Sequence, residues 1–254
     1  MKRARQVLMV LSGKGGVGKS TVAANLACAL GRSLRVGLLD ADLHGPNVPK
    51  MLGIDRATMP VVNGKIRPVP TEWNLAVVSM AFGLPSADTP LIWRGPLKMK
   101  AIRQFIEDVD WGDLDLLVVD LPPGTGDEPL SVVQVVGTVD AALVVTTPQQ
   151  VALLDAGKAV SFCRKVGVGR VGVVENMAAL ICPHCGGEID LFGRGGAERM
   201  AASLGATFLG RLPMSLDVVR AGDAGRPVVA EDSPAREPFL ELALRALDFV
   251  RGEE

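Results

Sequence analysis

The sequence lacks the features of several specialised classes of protein. It has only four cysteines in 254 residues, too few for a framework of disulfides. Its apolar runs all fall short of the roughly 18 residues that a membrane-spanning helix needs. It has 27 basic and 28 acidic residues, so the basic surplus typical of nucleic-acid-binding domains is also missing. The sequence therefore predicts a protein whose partners include neither a membrane nor nucleic acid.

The N-terminal segment is basic but does not continue as a secretory signal. Residues 1–6 are followed by only five apolar residues, Val7–Leu11, before Ser12 and Gly13, whereas a signal peptide has an apolar region of about 7–15 residues. We interpret the segment as a lead into a first strand. Hydrophobic residues make up 48% of the chain, enough for a sizeable core. We therefore expect one domain over residues 1–254, located in the cytoplasm.

Short apolar runs alternate with helical patterns along the chain. The runs are apolar on both faces, as in strands buried inside a parallel sheet, and are Val7–Leu11, Val36–Leu39, Leu114–Val119, Ala141–Val145 and Val171–Val174. Segments with helical spacing lie between and after them, at Thr21–Leu30, Lys98–Val109, Glu128–Val136, Val151–Val166, Ala197–Leu204, Leu216–Ala221 and about Ala235–Arg251. This order predicts an α/β fold with a doubly wound, mostly parallel sheet flanked by helices. The Pro- and Gly-rich residues 45–96 predict an irregular elaboration at one edge, with Leu75–Ser79 as a strand candidate.

A glycine-rich loop follows the first strand candidate. Residues 13–20 have the sequence GKGGVGKS, which fits the phosphate-binding pattern G-x-x-x-x-G-K-[ST]. The glycines let the backbone approach phosphate oxygens, and the helix that follows places its positive end there. Lys19 would reach the β- and γ-phosphates, and the Ser20 hydroxyl would ligate Mg²⁺. The loop predicts ATP-contacting residues at Gly13, Lys14, Gly15, Gly16, Val17, Gly18, Lys19, Ser20 and Thr21.

Acidic residues end two of the strand candidates. The apolar run before Asp120 gives the Walker B pattern, which places this carboxylate to hold Mg²⁺ directly or through water. The second strand candidate ends in Asp40 and Asp42. Because ligands of open α/β sheets bind at the carboxyl ends of strands, we expect these acids near the phosphate loop; simple capping of the strand ends is the alternative. The loop after Asp120 could offer the Gly124 N–H group to the γ-phosphate.

The phosphate loop has a second lysine, Lys14, which alone would be an ordinary solvated charge. The arrangement K-G-G-x-G-K-[ST] resembles the deviant Walker A loop of the MinD/ParA/nitrogenase-iron-protein superclass. The resemblance implies that Lys14 reaches across a dimer to the partner's nucleotide and that hydrolysis needs two chains. It also implies that Asp40 lies near the waters of Mg²⁺ and that Asp42 positions the attacking water. The predicted catalytic residues are Lys14, Lys19 and Asp42.

Recognition of the base has a weaker signal. Asn176 follows a strand candidate, and Pro213 follows a later one. Without the resemblance, both would be ordinary turns at the ends of strands. They match positions that contact adenine in the superclass, so the resemblance implies that Asn176 and Pro213 do so here.

Two cysteines lie close together, Cys182 and Cys185, in the sequence CPHCGG. A thiol–disulfide couple is one interpretation, although the two glycines that follow would break the helix that such a site usually begins. A zinc knuckle is another, but structural zinc takes four ligands and the segment offers two thiolates with a histidine between them. In a third, two chains share four thiolates around zinc or an iron–sulfur cluster. Cys28 and Cys163 lie alone in apolar helical patterns and are predicted core residues.

The chain closely resembles the Mrp/ApbC iron–sulfur cluster carrier ATPases over nearly its whole length. Besides the phosphate loop, the resemblance rests on residues 40–49 (DADLHGPNVP), 93–96 (WRGP), 120–127 (DLPPGTGD), 175–177 (ENM), 182–187 (CPHCGG), 192–196 (FGRGG) and 221–227 (AGDAGRP). ParA- and MinD-like relatives share the phosphate loop but lack the cysteine loop, here about residues 177–196. The cysteines therefore distinguish the two groups.

The resemblance implies a homodimer that binds and slowly hydrolyses ATP. It implies that Cys182 and Cys185 of both chains hold one [4Fe–4S] cluster, which is transferred to apo-proteins, and that nucleotide changes how firmly the cluster is held. The alternative is a ParA- or MinD-like positioning ATPase with a structural zinc clasp, which would need a basic face or a membrane-targeting helix. A nucleotide sensor without hydrolysis is a third hypothesis, against which Asp42 argues.

Overall fold

The computed structural model describes residues 4–83, 102–182 and 184–253. The strands in these ranges are β1 (Ala4–Leu11), β2 (Val36–Asp40), β3 (Val61–Val62), β4 (Lys65–Ile66), β5 (Val69–Pro70), β6 (Leu75–Ser79), β7 (Leu114–Asp120), β8 (Ala141–Thr146), β9 (Arg170–Glu175), β10 (Leu180–Ile181), β11 (Glu188–Ile189) and β12 (Thr207–Arg211). The helices are α1 (Lys19–Gly31), α2 (Val48–Met51), α3 (residues 102–107), α4 (Asp127–Val136), α5 (Gln150–Lys165), α6 (Gly196–Ser203), α7 (Leu216–Asp223) and α8 (Arg236–Arg251).

One large sheet organises the described residues. Its eight strands have the order β12-β9-β8-β1-β7-β2-β6-β5. All neighbouring pairs are parallel except β5 with β6. Helices cover both faces, so the predicted α/β fold with a mostly parallel sheet flanked by helices is confirmed.

The two faces of the sheet bury separate hydrophobic clusters because side chains alternate along a strand. On β1, Leu8 and Val10 face the cluster that includes α1 and α8, whereas Met9 and Leu11 face the cluster that includes α3, α4, α5 and α6. Since the central strands are apolar on both faces, they appear in the sequence as short continuous apolar runs.

The predicted elements agree with the structure apart from their ends and two segments. The predicted helix Lys98–Val109 is helical over residues 102–107, and its first four residues lie outside the described ranges. Within residues 45–83, β6 and β5 extend the large sheet at one edge, while β3 and β4 form a separate antiparallel pair. Residues 84–96 of the predicted elaboration, including the WRGP segment, lie outside the described ranges. In the part of the chain that the structure describes, no helix is long and apolar enough to cross a bilayer.

The parallel strands bring several chain segments together at the edge of the sheet that is formed by the carboxyl ends of the strands. In the registers of β7 with β1 and β2, Asp120 lies opposite both Val10 and Asp40. The phosphate loop leaves β1 at this edge, and the loops after β2, β7 and β9 leave it beside the phosphate loop. This arrangement explains why residues distant in the sequence form one site.

Candidate functional site

The phosphate loop joins β1 to α1, and several of its positions can be occupied only by glycine. Gly16 and Gly18 have φ angles of +80° and +82°, in the left-handed region that favours glycine. A Cβ atom on Gly18 would lie 2.2 Å from Asn176 Nδ2, and one on Gly13 would lie 2.2 Å from the backbone of Asp155 in α5. The loop therefore needs glycine for close packing against the end of β9 and against α5, as well as for its backbone conformation.

Lys19 forms a buried ion pair with the acid at the end of β7. Its Nζ atom lies 2.6 Å from Asp120 Oδ1, and the two side chains are 7% and 0% exposed. Nζ also lies 3.2 Å from Ser20 Oγ. Burial raises the pKa of the Asp120 carboxyl, and the charge of Lys19 opposes that rise. The structure thus brings together the predicted phosphate-binding lysine, the predicted Mg²⁺-binding serine and the Walker B acid.

Asp40 is fully buried beside these groups. Its Oδ2 atom accepts hydrogen bonds from Ser79 Oγ at 2.9 Å and from the backbone N–H of Val48 at 3.3 Å. Burial and the nearby charge of Asp120 both raise the pKa of the Asp40 carboxyl. Ser79 was not predicted as a site residue, and the signal for it is its position at the end of β6, the strand next to β2.

Asp42 lies at the wall of an open hollow beside the loop that follows β7. Its Oδ1 atom accepts hydrogen bonds from the backbone N–H groups of His44 at 3.0 Å and Gly45 at 3.2 Å. The hollow, of about 640 Å³, is also lined by residues at the start of α4. The Gly124 N–H, predicted to face the γ-phosphate, here donates to the Ser12 carbonyl oxygen at 2.8 Å. This bond joins the loop after β7 to the phosphate loop.

A second cavity, of about 310 Å³, brings together the residues predicted to contact the base. It is lined by Gly18 and Thr21 on one side and by Asn176 and Pro213 on the other. The Asn176 side-chain amide donates to the Val17 carbonyl oxygen of the phosphate loop at 2.9 Å. The arrangement suits a nucleoside that continues from phosphates held at the loop.

Further residues of this cavity were not predicted from the sequence. Lys50 and Met51 come from α2, and Met214 and Asp223 come from the region of α7. No local pattern signals them, since they meet only once α2 packs against α7.

The predicted site residue Lys14 lies at the start of the phosphate loop, and its side chain is half-buried. Its carbonyl oxygen accepts a hydrogen bond from Ser12 Oγ at 2.9 Å.

The close cysteine pair lies on a short β-hairpin formed by β10 and β11. The backbone N–H of Cys182 donates to the Gly187 carbonyl oxygen at 2.9 Å, and the N–H of Gly186 donates to the Cys182 carbonyl oxygen at 2.9 Å. Hydrogen bonds from the backbone of His184 and Cys185 lower the pKa of the Cys182 thiol. Cys185 is exposed. The hairpin therefore presents Cys185 at the surface and favours the thiolate form of Cys182, the form that binds metals.

The hairpin alone offers an incomplete set of metal ligands. Among the residues that the structure describes, no group of three or more His, Cys, Asp or Glu side chains could hold a metal ion. Cys28 and Cys163 are buried, as predicted, and burial raises the pKa of the Cys163 thiol to about 12. These two thiols are thus unsuited to metal binding at neutral pH.

The sheet order, the phosphate loop and the buried lysine–aspartate pair define the class of protein, a P-loop NTPase. A profile of the NUBPL iron-transfer P-loop NTPases matches residues 3–246. This chain belongs to that family.

Curated relatives and solved structures agree with this assignment. Two proteins named iron-sulfur cluster carrier protein are similar over most of their length. The one from Pyrococcus horikoshii is 51% identical, and the match covers 98% of this chain and 88% of the relative. The one from Methanocaldococcus jannaschii is 44% identical, and the match covers 100% of this chain and 88% of the relative. A nucleotide-binding protein from Archaeoglobus fulgidus, solved in complex with ADP, is 36% identical with a TM-score of 0.80, and 93% of each chain is covered. The cell division ATPase MinD of Pyrococcus furiosus shares the fold at 24% identity, with a TM-score of 0.73 over 96% of this chain and 99% of the other.

Proposed function

We propose that this protein is an ATP-binding and ATP-hydrolysing carrier that holds a [4Fe–4S] cluster across a homodimer and transfers it to apo-proteins. The observation that carries the proposal is the exposed cysteine hairpin on a P-loop NTPase. One chain contributes two thiolates there, whereas a four-iron cluster takes four. Two chains related by a two-fold axis complete the ligand set. The exposed free thiol suits a reducing compartment such as the cytoplasm.

The surface around the hairpin supports an interface between two copies. Three large apolar side chains in the cysteine loop, Ile181, Ile189 and Leu191, are 44%, 42% and 51% exposed. An isologous interface places the same patch of both chains against each other. Contact through these residues would bring the paired cysteines of the two chains together and bury their apolar neighbours.

Hydrolysis is assigned to the groups that converge at the ends of β1, β2 and β7. The oxygen of the attacking water bonds to the γ-phosphorus of ATP, and the bond from that phosphorus to the bridging oxygen breaks. ADP and hydrogen phosphate leave, and the second proton of the water is released to solvent. Asp42 orients the water, while Lys19 moves from Asp120 to the phosphates and stabilises the charge that develops on their oxygens. Lys14 of the partner subunit adds a second positive charge, and Gly124 senses the γ-phosphate once its bond to Ser12 opens.

The buried acids also fit the Mg²⁺ ion that ATP hydrolysis needs. Asp120 Oδ2 is buried and has no hydrogen-bond partner among the described residues. With Lys19 on the phosphates, Asp120 and the Ser20 hydroxyl would hold the ion, and the buried Asp40 carboxylate would add negative charge beside them. The ion supplies positive charge that neutralises the phosphate oxygens.

Contacts with the base are assigned to the cavity beside the phosphate loop. Asn176 supplies hydrogen bonds and Pro213 an apolar surface for adenine, while Thr21 and Gly18 lie next to the phosphates. We assign one nucleoside to this cavity of about 310 Å³, and therefore one ATP to each chain.

Anaerobic reconstitution with iron and sulfide tests the cluster. We expect about two irons and two sulfides per chain, visible absorption and a dimer. Cys185→Ser should lose all three, whereas Cys163→Ala, which removes a buried thiol, should keep them. Zinc at about half an atom per chain without sulfide would contradict the proposal and favour a structural clasp.

Mixing two inactive variants tests the role of Lys14 across the dimer. Lys14→Ala and Asp42→Asn should each abolish hydrolysis alone. In a mixed dimer, one of the two sites combines an intact Asp42 with an intact Lys14 from the partner. Since random pairing makes about half of the dimers mixed, the mixture should recover about a quarter of the wild-type rate. A mixture as inactive as its components, with mixed dimers present, would place Lys14 in its own chain's site.

A further inference from the structure

The cysteine loop is attached at both ends to one pair of adjacent residues. It leaves β9 directly after Glu175 and Asn176 and returns to the fold at the start of α6. There, the backbone N–H of Ala197 donates to Glu175 Oε2 at 2.9 Å. At the other end, Asn176 donates through its backbone N–H to the Thr146 carbonyl oxygen at 2.7 Å and through its side chain to Val17. The position of the loop thus depends on this pair.

The two residues point to opposite faces of the sheet. Side chains alternate along β9, so Glu175 follows Val173 towards the face covered by α5 and α6, and Asn176 follows Val174 towards α1 and the phosphate loop. Asn176 therefore lines the nucleotide cavity, while Glu175 lines a separate cavity of about 740 Å³ beneath the cysteine hairpin. Because the two residues share one planar peptide group, a backbone shift at Asn176 also displaces the backbone of Glu175.

A second set of bonds ties the hairpin to the nucleotide cavity. The backbone N–H of Met214, a residue of that cavity, donates to the Ala179 carbonyl oxygen at 2.8 Å, and the N–H of Ala178 donates to the Leu212 carbonyl oxygen at 3.0 Å. Met214 also forms a bridge with Leu180, the first residue of the hairpin. The approach to Cys182 is therefore bonded to the wall of the nucleotide cavity.

Nucleotide binding does not explain the charge on Glu175. The side chain is fully buried, and its Oε1 atom accepts from Arg211 Nε at 3.2 Å. A buried carboxylate is costly unless it is paired and hydrogen-bonded. Its partners are Arg211 on β12 and the N-terminus of α6, where the positive end of a helix also favours an anion. The far end of the cysteine loop leads into α6, and Arg211 also pairs with Glu198 of that helix.

We propose that Glu175 is a positioning residue that couples the nucleotide to the cysteine hairpin, an inference that rests on the proposed cluster carrier function. A base that takes hydrogen bonds from Asn176 competes with its bond to Val17. The resulting shift passes through the 175–176 peptide to α6 and changes the separation of the thiolates of the two chains. Nucleotide thereby changes how fast the cluster is lost.

The test compares cluster loss with and without nucleotide. The reconstituted dimer is mixed with a ferrous chelator, and the rate of iron loss is measured in buffer and in saturating ATP with Mg²⁺. We expect the two rates for the wild type to differ by about fivefold or more. Glu175→Gln, which keeps the shape of the side chain, should load the same iron and bind ATP with an affinity within about threefold of the wild type, but its two rates should be nearly equal. Glu198→Gln removes another carboxylate partner of Arg211 and should keep the wild-type ratio.

The ratio of rates separates coupling from loss of structure. If Glu175→Gln merely loosens the fold, iron loss accelerates equally in both conditions, the ratio stays that of the wild type and the inference is wrong. Should this variant fail to fold, Arg211→Gln, at a half-exposed side chain, should reduce the ratio, and an unchanged ratio would overturn the inference. A wild-type ratio near one would overturn it too, while normal iron loading would leave the cluster carrier proposal standing.

Discussion

Replacing Lys19 with methionine tests the buried ion pair at the centre of the nucleotide site. Lys19 Nζ lies 2.6 Å from Asp120 Oδ1. The other carboxylate oxygen of Asp120 has no hydrogen-bond partner within the described residues. Lys19 therefore supplies the positive charge that Asp120 contacts directly. Methionine keeps most of the length of the side chain but removes this charge.

The expected loss of stability is large for a single change in a loop. Removing one partner of a buried ion pair costs about 3–5 kcal/mol, because an uncompensated charge remains. In a chain of this size, 1 kcal/mol lowers the melting temperature by about 2–4 °C. The Lys19→Met variant should therefore melt about 6–20 °C below the wild type in the absence of nucleotide.

Thermal and denaturant unfolding with a chelator present would measure the effect. Lys14→Met is the matched control, since the same substitution in the same loop removes a lysine that is only half-buried, and we expect a change within about 0.5 kcal/mol. Adding Asp120→Asn to Lys19→Met should recover part of the loss, because the amide has no charge. Equal melting temperatures for the Lys19→Met and Lys14→Met variants would refute the reasoning.

Two further predictions concern neighbouring parts of the site. Gly18→Ala should abolish measurable ATP binding in a fluorescent-nucleotide titration, because the new Cβ would lie 2.2 Å from a side-chain nitrogen at a φ angle of +82°. Gly15→Ala, which meets nothing within 4 Å, should bind more tightly than Gly18→Ala; equal losses would contradict the packing argument. Ser79→Ala removes the hydrogen bond to buried Asp40 and should cost about 1–3 kcal/mol in urea unfolding. Ser203→Ala, on the surface, should cost less than about 0.5 kcal/mol, and equal costs would contradict the role of Ser79.

The sheet could be predicted because its central strands are buried on both faces. β1, β2, β7, β8 and β9 all contain continuous apolar runs, and all of them except β9, which is followed by β10 and β11, lead directly to a helix. β12 is different: Leu209 is its one buried residue, so no apolar run marks its bounds. β10 and β11 have two residues each, too few to show the alternation of apolar and polar residues that predicts a strand. The turn that contains the cysteines brings the two strands together.

The candidate site was predictable where its residues are contiguous in the sequence. It was not predictable where residues meet only because their strands are neighbours in the sheet. Lys19 and Ser20 lie in one motif, and Asp120 ends a strand of recognisable pattern. Ser79 reaches Asp40 only because β6 lies next to β2. Glu175 belongs to one of the segments on which the family resemblance rests, but its role depends on the face of the sheet to which the last residue of β9 points. A strand's alternation predicts opposite faces, but the sequence does not show what covers each face.

The end of β9 is the place where the proposed coupling joins the cysteines to the nucleotide. Asn176 lies on the face that meets the phosphate loop and lines the cavity that we assign to the base. The preceding residue faces away from the nucleotide, yet it is a fully buried carboxylate whose bonds run to Arg211 and to the start of α6. Within the described residues, this buried charge accepts hydrogen bonds from Arg211 and from the N–H of Ala197, where the cysteine loop meets α6. Glu175 is therefore best explained by the cysteine loop, and its attachment to Asn176 joins that loop to the nucleotide.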